Sequence, residues 1–465
     1  MNTPLPPQPD RGTQRAALIV ATLTSFLGPF MGSSVNVALP SMGHDFGMSA
    51  VLLGWVNMAF LLAAAPFSIP FGRLGDIYGR KKIYMTGVAI FTLASVLIAL
   101  AGSGITVLLG RGLQGFGSSM IFATGMAILI SVYPPQERGK VLGINVAAVY
   151  LGLSSGPFVG GIVTQYLGWR FIFWLNLPVG LLLLAVIFSM LKGEWAEAKG
   201  ARFDRVGAIV LVLSLSLTMY AFSNLPKTYA FALLACGLLG VASFAILEAK
   251  IEEPLIDMGL FRYNKVFAFS SVAALINYAA TFGVSFLLSL YLQKVRRLSP
   301  QQTGFVLVSQ PFVQALFSPL AGRLSDRIEP RTVASAGMGL SFVGVGLLNF
   351  IDAHTSIYYI LGCLMFLGFG FAFFSSPNTK AIMSSVQRRE FGVASAVVGT
   401  MRQVGMTFSM GIVMMILTLQ LGQATLQAGN TSGFVTGMRT AFAVFAVMCF
   451  GGIFASLARG RTKGA

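Results

Sequence analysis

The chain alternates between long apolar runs and short polar segments that carry most of its charges. Fourteen of the apolar runs reach the roughly 20 residues that an α-helix needs to cross a hydrocarbon core of about 30 Å. They lie near residues 16–40, 51–71, 83–102, 105–131, 140–164, 170–191, 206–223, 229–249, 266–291, 303–321, 332–351, 357–377, 391–417 and 437–458. The pattern therefore predicts an all-α integral membrane protein with fourteen transmembrane helices.

The composition supports this fold class and excludes several others. Hydrophobic residues make up 55% of the 465 residues and charged residues only 10%, whereas a soluble domain carries about 25% charged residues. Soluble enzymes, disordered proteins and disulfide scaffolds are excluded on this ground. The three cysteines, Cys236, Cys363 and Cys449, stand far apart inside apolar runs. We therefore expect no disulfide framework, no metal site and no cofactor.

The basic residues indicate the orientation of the chain. The formal net charge is +17, but Lys and Arg stand in short clusters between apolar runs, which is typical of topology signals and not of a nucleic-acid interface. On the fourteen-span map, 24 of the 32 Lys and Arg residues fall on the side of both termini, six on the other side and two inside spans. Because positively charged loops stay inside the cell, we expect cytoplasmic tails at 1–15 and 459–465.

A short motif recurs at a constant spacing. GRLGDIYGRKK runs from Gly72 to Lys82 after the second span, and GRLSDRIEPR runs from Gly322 to Arg331 after the tenth, 250 residues later. The spacing predicts two equivalent six-helix halves, 16–191 and 266–458, with two extra helices inserted in a linker at 192–265. Parallel halves related by an axis along the membrane normal are a transporter design, with the substrate bound near the midplane.

The repeated motif combines glycines with an aspartate and arginines, which suits a hinge. Glycines let helix ends approach closely, and Asp76 can accept charge-assisted hydrogen bonds from Arg80 or from a helix N-terminus. The alternative is a basic tight turn that only obeys the charge rule. We predict a conformational latch that consists of Gly72, Arg73, Asp76, Arg80, Arg323 and Asp326.

The fifth span contains GLSSGPFVGG, from Gly152 to Gly161. Glycines permit close packing of helices in a membrane, and a proline removes a backbone donor and can kink the helix. We therefore predict a flexible gate helix at Gly152, Gly156, Pro157 and Gly160. Ordinary glycine-mediated packing without a transport role is the alternative.

Two arginines fall inside spans, where a charge costs about 2.5–3.5 kcal/mol on insertion scales. We predict that Arg111 with Gln114, and Arg402 with Gln403, belong to a substrate or proton-linked site. The alternative is that each guanidinium only caps carbonyls or amides. A net-positive cavity would favour neutral, zwitterionic or anionic cargo over lipophilic cations. Further candidates for the cavity wall are Met31, Asn36, Trp55, Asn145, Tyr150, Asn277, Tyr278, Gln310 and Asn378.

Five motifs together resemble the major facilitator superfamily, and in particular its fourteen-span drug:proton antiporter branch. They are GRLGDIYGRKK, RGLQGFGSS from Arg111, GLSSGPFVGG, WRFIFWLNLPVG from Trp169, and MRQVG from Met401. The resemblance implies the major facilitator fold, alternating access and multidrug-type export of small amphiphilic molecules across the plasma (inner) membrane. It also associates Arg111 with proton transfer.

One departure from this branch concerns energy coupling. The branch has an aspartate in its first span, whereas this chain has Met31 there, within FMGSSVNVALP. None of the 15 acidic residues maps to a membrane interior, although proton relays in pumps normally use intramembrane Asp, Glu or His. We expect a proton-linked exporter without the usual acid. The alternative is an uncoupled or anion-linked carrier of neutral, anionic or lipid-like cargo.

Two further classes of protein are weighed against a transporter. A non-transporting membrane binding protein would use the same apolar cavity, and binding without flux would identify it. An enzyme is not expected, because only two histidines exist and they map to separate outer loops. A primary ATP-driven pump is not expected either, because no GxxxxGK[ST] loop is present. The expected partners of a monomer are a small-molecule substrate, the lipid bilayer and protons, and not nucleic acid.

Overall fold

The structure is a computed structural model that describes residues 10–251, 253–386, 391–421 and 431–460. These residues form helices and contain no strand. The α-helices are α1 (Arg11–Phe46), α2 (Ala50–Tyr78), α3 (Arg80–Ala99), α4 (Gly104–Val132), α5 (Pro135–Tyr166), α6 (Arg170–Trp174), α7 (Asn176–Ser189), α8 (Arg205–Ser223), α9 (Thr228–Glu248), α10 (Gly259–Arg262), α11 (Lys265–Leu290), α12 (Pro300–Leu307), α13 (Ser309–Arg327), α14 (Pro330–Leu348), α15 (Ile357–Ser384), α16 (Phe391–Leu421) and α17 (Thr431–Ala458), and a π-helical turn spans Tyr291–Val295.

The described chain has fourteen spans that are long and apolar enough to cross a membrane, as the hydrophobic pattern predicts. α6 and α7 together make the sixth span, and α12 and α13 make the tenth. The short α10 lies in the linker before α11. The all-α fold with fourteen spans is confirmed, while the tails predicted at 1–15 and 459–465 lie partly outside the described residues.

The sixth and tenth spans break at the same distance from a proline. α6 ends at Trp174, four positions before Pro178, and α12 ends at Leu307, four positions before Pro311. A proline cannot donate a hydrogen bond to the carbonyl four residues earlier, and its ring clashes with that carbonyl. Each helix therefore breaks where the donor is lost.

The two halves repeat the same packing. In the first half, α1 packs along α5, α4 packs on α2 and α3, and α3 contacts α7. In the second half, α11 packs along α16, α15 packs on α13 and α14, and α14 contacts α17. The prediction of two equivalent six-span halves is confirmed by this correspondence.

The two inserted helices lie beside one of the two seams between the halves. One seam joins α2, the second span, to α16, the thirteenth. The equivalent seam on the other side joins α5, the fifth span, to α12 and α13, which make the tenth. α8 and α9 pack on each other, and α8 also contacts α2 and α16. No inserted helix in the described ranges covers the α5–α12 seam, and the exposed rings of Phe158 and Phe305 meet edge-on across it with centroids 5.1 Å apart.

The halves contact each other at the face opposite the termini. We call the end of the bundle where α1 begins and α17 ends the terminal face, and the other end the opposite face. At the opposite face, Ser289 Oγ donates to Asn36 O at 2.6 Å, and Gln301 N donates to Gln165 Oε1 at 3.2 Å. A Cβ at Gly304 would lie 2.2 Å from Pro157 O. The backbones of α5 and α12 therefore touch, and the opposite face is closed.

Replacement of Gly304 by alanine is expected to open this face. The added methyl group cannot share space with Pro157 O, and overpacking of this kind costs about 1–3 kcal/mol, which corresponds to roughly a tenfold shift between conformations. Disulfide cross-linking between cysteines introduced at Gln165 and Gln301 measures closure, with the exposed Cys236 replaced by serine. The cross-linked fraction should fall clearly in Gly304→Ala.

Gly346→Ala serves as the matched control, because a Cβ at that helical position of α14 meets no atom within 4 Å. It should leave the cross-linking yield unchanged. An equal yield in Gly304→Ala and in the parent protein would contradict the closure of the opposite face through α5 and α12.

Candidate substrate site between the two halves

The loop after α2 is held by an ion-pair network at the terminal face. Arg80 Nε donates to Asp76 Oδ1 at 2.7 Å, and Arg80 Nη1 donates to Glu197 Oε1 at 2.7 Å and to Ser131 Oγ at 2.5 Å. Burial alone would raise the pKa of Glu197, but its hydrogen bond and ion pair with Arg80 lower that pKa. The predicted latch residues Asp76 and Arg80 thus pair within the first half.

Glu197 belongs to a linker segment that the sequence does not connect with this loop. We call residues 190–204 the first linker segment and residues 249–264 the second. Lys81 N donates to Glu194 Oε1 at 2.8 Å, and Ala198 N donates to Asp76 O at 2.9 Å. The first linker segment therefore binds both ends of the loop.

The other latch candidates make fewer contacts. Arg73 approaches Glu253 of the second linker segment at 4.0 Å. In the second half, Asp326 forms an ion pair with Lys380, and Arg323 forms no ion pair with any residue in the described ranges. A Cβ at Gly72 would lie 3.8 Å from Ala123, and one at Gly322 would lie 3.2 Å from Ser376 Oγ.

The glycines of the predicted gate helix mostly face their own half. A Cβ would lie 2.3 Å from Phe26 O at Gly152, and 2.8 Å from Phe30 O at Gly156. At Gly160 it would lie 2.7 Å from the Cβ of Ser34. These three glycines let α5 pack tightly on α1, as the packing alternative states. Pro157 is different, because its carbonyl meets Gly304 across the seam. Gly161 likewise faces Pro300.

Arg111 forms its contacts inside the first half. Its side chain is 2% exposed, its Nε donates to Val56 O at 3.1 Å, and its Nη1 donates to Gln114 Oε1 at 2.5 Å. Gln114 Nε2 donates onward to Ser95 Oγ at 2.9 Å, and the guanidinium lies 4.6 Å from the ring centroid of Phe60. These contacts tie α4 to α2 and α3, as the capping alternative describes.

Several cavity candidates also contact neighbours of their own half. Asn176 Nδ2, at the start of α7, donates to the sulfur of Met31 at 3.0 Å. Met31, which stands where the drug:proton antiporter branch has an aspartate, therefore faces α7. Asn57 Nδ2 donates to Asn36 Oδ1 at 2.7 Å. Asn277 Nδ2 donates to a methionine sulfur on α14 at 3.4 Å.

Three more candidates have identifiable surroundings. Trp55 approaches Tyr220 of α8 with ring centroids 5.9 Å apart. The carbonyl of Gln310 lies against α15, because a Cβ at Gly368 would be 2.3 Å from it. Asn145 is buried on α5.

Three further candidates meet between the halves, namely Tyr150, Tyr278 and Arg402. Tyr150 on α5 faces the hydroxyls of Ser318 and Ser375 in the second half and lies within electrostatic reach of Tyr278 and Arg402. The guanidinium of Arg402 lies 5.8 Å from the ring centroid of Tyr278. Tyr150, Tyr278 and Arg402, which we call the central cluster, thus bring one residue of the first half together with two of the second.

Arg402 differs from Arg111 in having no acceptor. It is partly exposed, and no residue in the described part of the chain accepts a hydrogen bond or forms an ion pair with it. The neighbouring Gln403 is 6% exposed and its buried Oε1 has no donor among the described residues. The central cluster therefore presents a cation and an aromatic ring that lack a polar partner.

Arg459 is a buried arginine that the sequence places in a tail. It is 1% exposed, and its Nη1 donates to Asn378 Oδ1 at 3.0 Å and to Ser270 Oγ at 3.3 Å. Burial lowers the pKa of Arg459 to about 10. It fastens the end of α17 to α15 and α11, and only its position one residue beyond the last apolar run could have suggested this role.

The opposite face carries a depression outside the closed seam. Its volume is about 650 Å³, and Asp45, Arg170, Lys294 and Gln293 are among its lining residues. Arg170 Nη1 and Trp169 Nε1 both donate to Asp45 Oδ2 at 2.9 Å. The Trp–Arg pair of the sixth span is therefore an anchor to the end of α1.

No described residues group three or more His, Cys, Asp or Glu side chains in a way that could hold a metal ion. The acidic residues in the described ranges lie in linkers and loops or within a turn of a helix end, as Asp45, Asp76, Glu248 and Asp326 illustrate. The interior of the bundle is therefore polar through amides, hydroxyls and guanidinium groups.

Comparisons with known proteins agree with this architecture. The Riboflavin transporter RibZ of Clostridioides difficile is 29% identical over 442 residues, which cover 94% of this chain and 95% of that protein. The Multidrug resistance protein Stp of Mycobacterium tuberculosis is 30% identical over 421 residues, covering 89% and 78%. A D-xylose–proton symporter structure shares the fold, with a TM-score of 0.69 at 16% identity over 97% of this chain and 99% of that one. The sequence profile of the Major Facilitator Superfamily matches residues 21–246 and 270–464, and the chain belongs to that family of membrane transporters.

Proposed function

We propose that this transporter exports small amphiphilic molecules by alternating access, and that its cargo binds at the central cluster. The observation that carries the proposal is Arg402, a partly exposed cation without an acceptor that lies beside Tyr278 and Tyr150 where the two halves meet. An unpaired charge inside a membrane is a functional-site candidate because it is costly to keep. A bound cargo would supply the missing partner.

The chemistry of the central cluster defines a class of cargo. A guanidinium pairs with carboxylate, phosphate or other planar acceptors, and it also stacks on aromatic faces. Tyr278 in turn contacts Phe371 edge-on, with centroids 6.3 Å apart. We infer an aromatic or otherwise apolar molecule that carries an acceptor or a negative charge. A relative named as a riboflavin transporter and one named as a multidrug resistance protein are compatible with this class.

The closed opposite face supports alternating access. Backbone contacts seal the α5–α12 seam there, whereas Ile144 and Val146, on the terminal side of Tyr150 in α5, are exposed. With both termini in the cytoplasm of a plasma-membrane protein, as the basic residues indicate, this conformation is closed to the outside. Release of cargo outside would then require the seam to open at Gly304.

The coupling of transport to protons has two candidate answers. We infer a proton-linked antiporter, because the sequence motifs resemble those of the drug:proton antiporter branch. The second candidate is an uncoupled or anion-linked carrier, and two observations favour it: Met31 contacts Asn176, and the acidic residues in the described ranges lie outside the middle of every span.

Flux of an anionic aromatic dye in proteoliposomes, with and without an imposed pH gradient, distinguishes proton antiport from uncoupled or anion-linked transport. Flux that ignores the gradient would overturn proton antiport.

Replacement of Arg402 by glutamine is expected to weaken the binding of anionic aromatic cargo by about tenfold or more, since a hydrogen bond to a charged group contributes roughly 1.5–3 kcal/mol. A neutral analogue of the same size should lose far less. Arg402→Lys should restore part of the difference, because it keeps the charge. Ligand-induced quenching of tryptophan fluorescence in the purified proteins measures the affinity of the parent and of each variant for both cargoes.

Arg111→Lys is the matched control for this experiment. Arg111 is buried and hydrogen-bonded within the first half, so its replacement should reduce folded yield without changing the preference between the two cargoes. Equal losses for anionic and neutral cargo in Arg402→Gln would remove Arg402 from the substrate site.

Asp76→Asn is expected to slow transport several-fold while leaving cargo affinity unchanged. The exchange removes the charge that pairs with Arg80 but keeps an oxygen in place, and the loop lies at the terminal face, far from the central cluster. Transport rates in proteoliposomes and affinities in detergent report the two effects separately. Asp326→Asn provides the comparison, since Asp326 pairs with the exposed Lys380. An unchanged rate in Asp76→Asn would exclude the latch.

A further inference from the structure

Two carboxyl groups lie at the terminal face of the inserted helix pair. One stands just before α8 and the other at the end of α9. Asp204 caps the start of α8, where its Oδ1 accepts a hydrogen bond from Gly207 N at 2.9 Å. Glu248 is the last residue of α9 and is only 2% exposed. Its Oε2 accepts a hydrogen bond from Ile256 N in the second linker segment at 3.2 Å.

Each carboxyl group has a second oxygen without a donor. Asp204 Oδ2 and Glu248 Oε1 are buried, and neither has a hydrogen-bond partner among the described residues. Both oxygens lie close to Gly207, because a Cβ at that residue would be 2.0 Å from Asp204 Oδ2 and 2.5 Å from Glu248 Oε1. The two free oxygens of Asp204 and Glu248 therefore lie close to each other.

Two ionised carboxylates cannot form such a contact. A carboxylate only accepts hydrogen bonds, and one of the pair donates only when it carries a proton. Like charges this close, removed from water, also repel strongly, and one proton shared between them removes the repulsion. The unpaired oxygens and their proximity thus favour a hydrogen between the two carboxyl groups.

No cation replaces that hydrogen in the described part of the chain. Neither free oxygen forms an ion pair with any described residue. Glu253 is already engaged, since it accepts from Arg202 N at 2.8 Å and approaches Arg73. The helices that pack on α8 are α2, α9 and α16. The charged residues on the adjoining linkers and at the nearby end of α2 are Arg73, Arg202, Arg205, Lys250, Glu253 and Asp257, and the charged residue of α16 in the described ranges is Arg402.

We propose that Asp204 and Glu248 bind one proton between them, as a carboxylic acid hydrogen-bonded to a carboxylate. The bound proton joins the start of α8 to the end of α9 and, through Ile256 N, to the second linker segment that leads into α11. The site lies in the insert and not in the central cluster, so it stands whether or not the proposed cargo is correct.

Infrared difference spectroscopy of the purified full-length protein tests the site directly. At neutral pH the wild type should show the carbonyl stretch of a buried protonated carboxyl group, and Glu248→Gln should lose this band. Glu253→Gln, an exposed neighbour in the second linker segment, is the matched control and should keep it. Absence of the band in the wild type, or its persistence in both Glu248→Gln and Asp204→Asn, would overturn the proposal.

Thermal unfolding against pH gives an independent readout. The folded pair retains a proton that the unfolded chain releases, so folded-state stability falls as pH rises, by up to about tenfold in the folded-to-unfolded ratio for each pH unit. Glu248→Gln carries a permanent amide donor toward Asp204, and its stability should lack this part of the pH dependence. Identical pH profiles for the wild type and Glu248→Gln, or a dependence on sodium in place of pH, would contradict a bound proton.

Discussion

A guanidinium that leaves water for the interior of a helical bundle has to find acceptors there, and this requirement organises the polar interior of the protein. Arg111 finds a backbone carbonyl and Gln114, Arg80 finds two carboxylates and a serine, and Arg459 finds Asn378 and Ser270. Each of these arginines fastens helices of one half. Arg402 has no such acceptor among the described residues and contacts the ring of Tyr278, which separates the charge of the proposed cargo site from three arginines with structural partners.

The glycines of α5 also fall into two groups, one that faces the first half and one that faces the second. Gly152, Gly156 and Gly160 let α5 approach α1 and make the first half rigid, whereas Gly161 and the carbonyl of Pro157 meet α12 of the other half. A helix with two glycine-lined sides can hold one partner permanently and release the other. Rigid halves and a separable seam are what alternating access between parallel repeats requires.

The number of spans and the repeat follow from the sequence because membrane thickness fixes the length of an apolar run, and because the motif at Gly72 recurs at Gly322. The partners of charged residues do not follow. Glu197 meets Arg80, and Asp204 meets Glu248, only after linkers fold back on the bundle, and the apolar pattern carries no information on such loops. The burial of Arg459 could not be predicted either. It lies one residue beyond the last helix, and the end of a helix cannot be located to within one residue from the sequence.

The position of α8 and α9 makes the protein unsymmetrical in the plane of the membrane. The repeat renders the α2–α16 and α5–α12 seams equivalent, yet only the first carries two additional helices. Under the proposed alternating access, opening of the α2–α16 seam would move α8 and α9 through the lipid, whereas opening of the α5–α12 seam would displace acyl chains beside Phe158 and Phe305. Within the described residues the two sides of the transporter therefore differ, and a molecule dissolved in the bilayer would reach the α5–α12 seam without passing inserted helices.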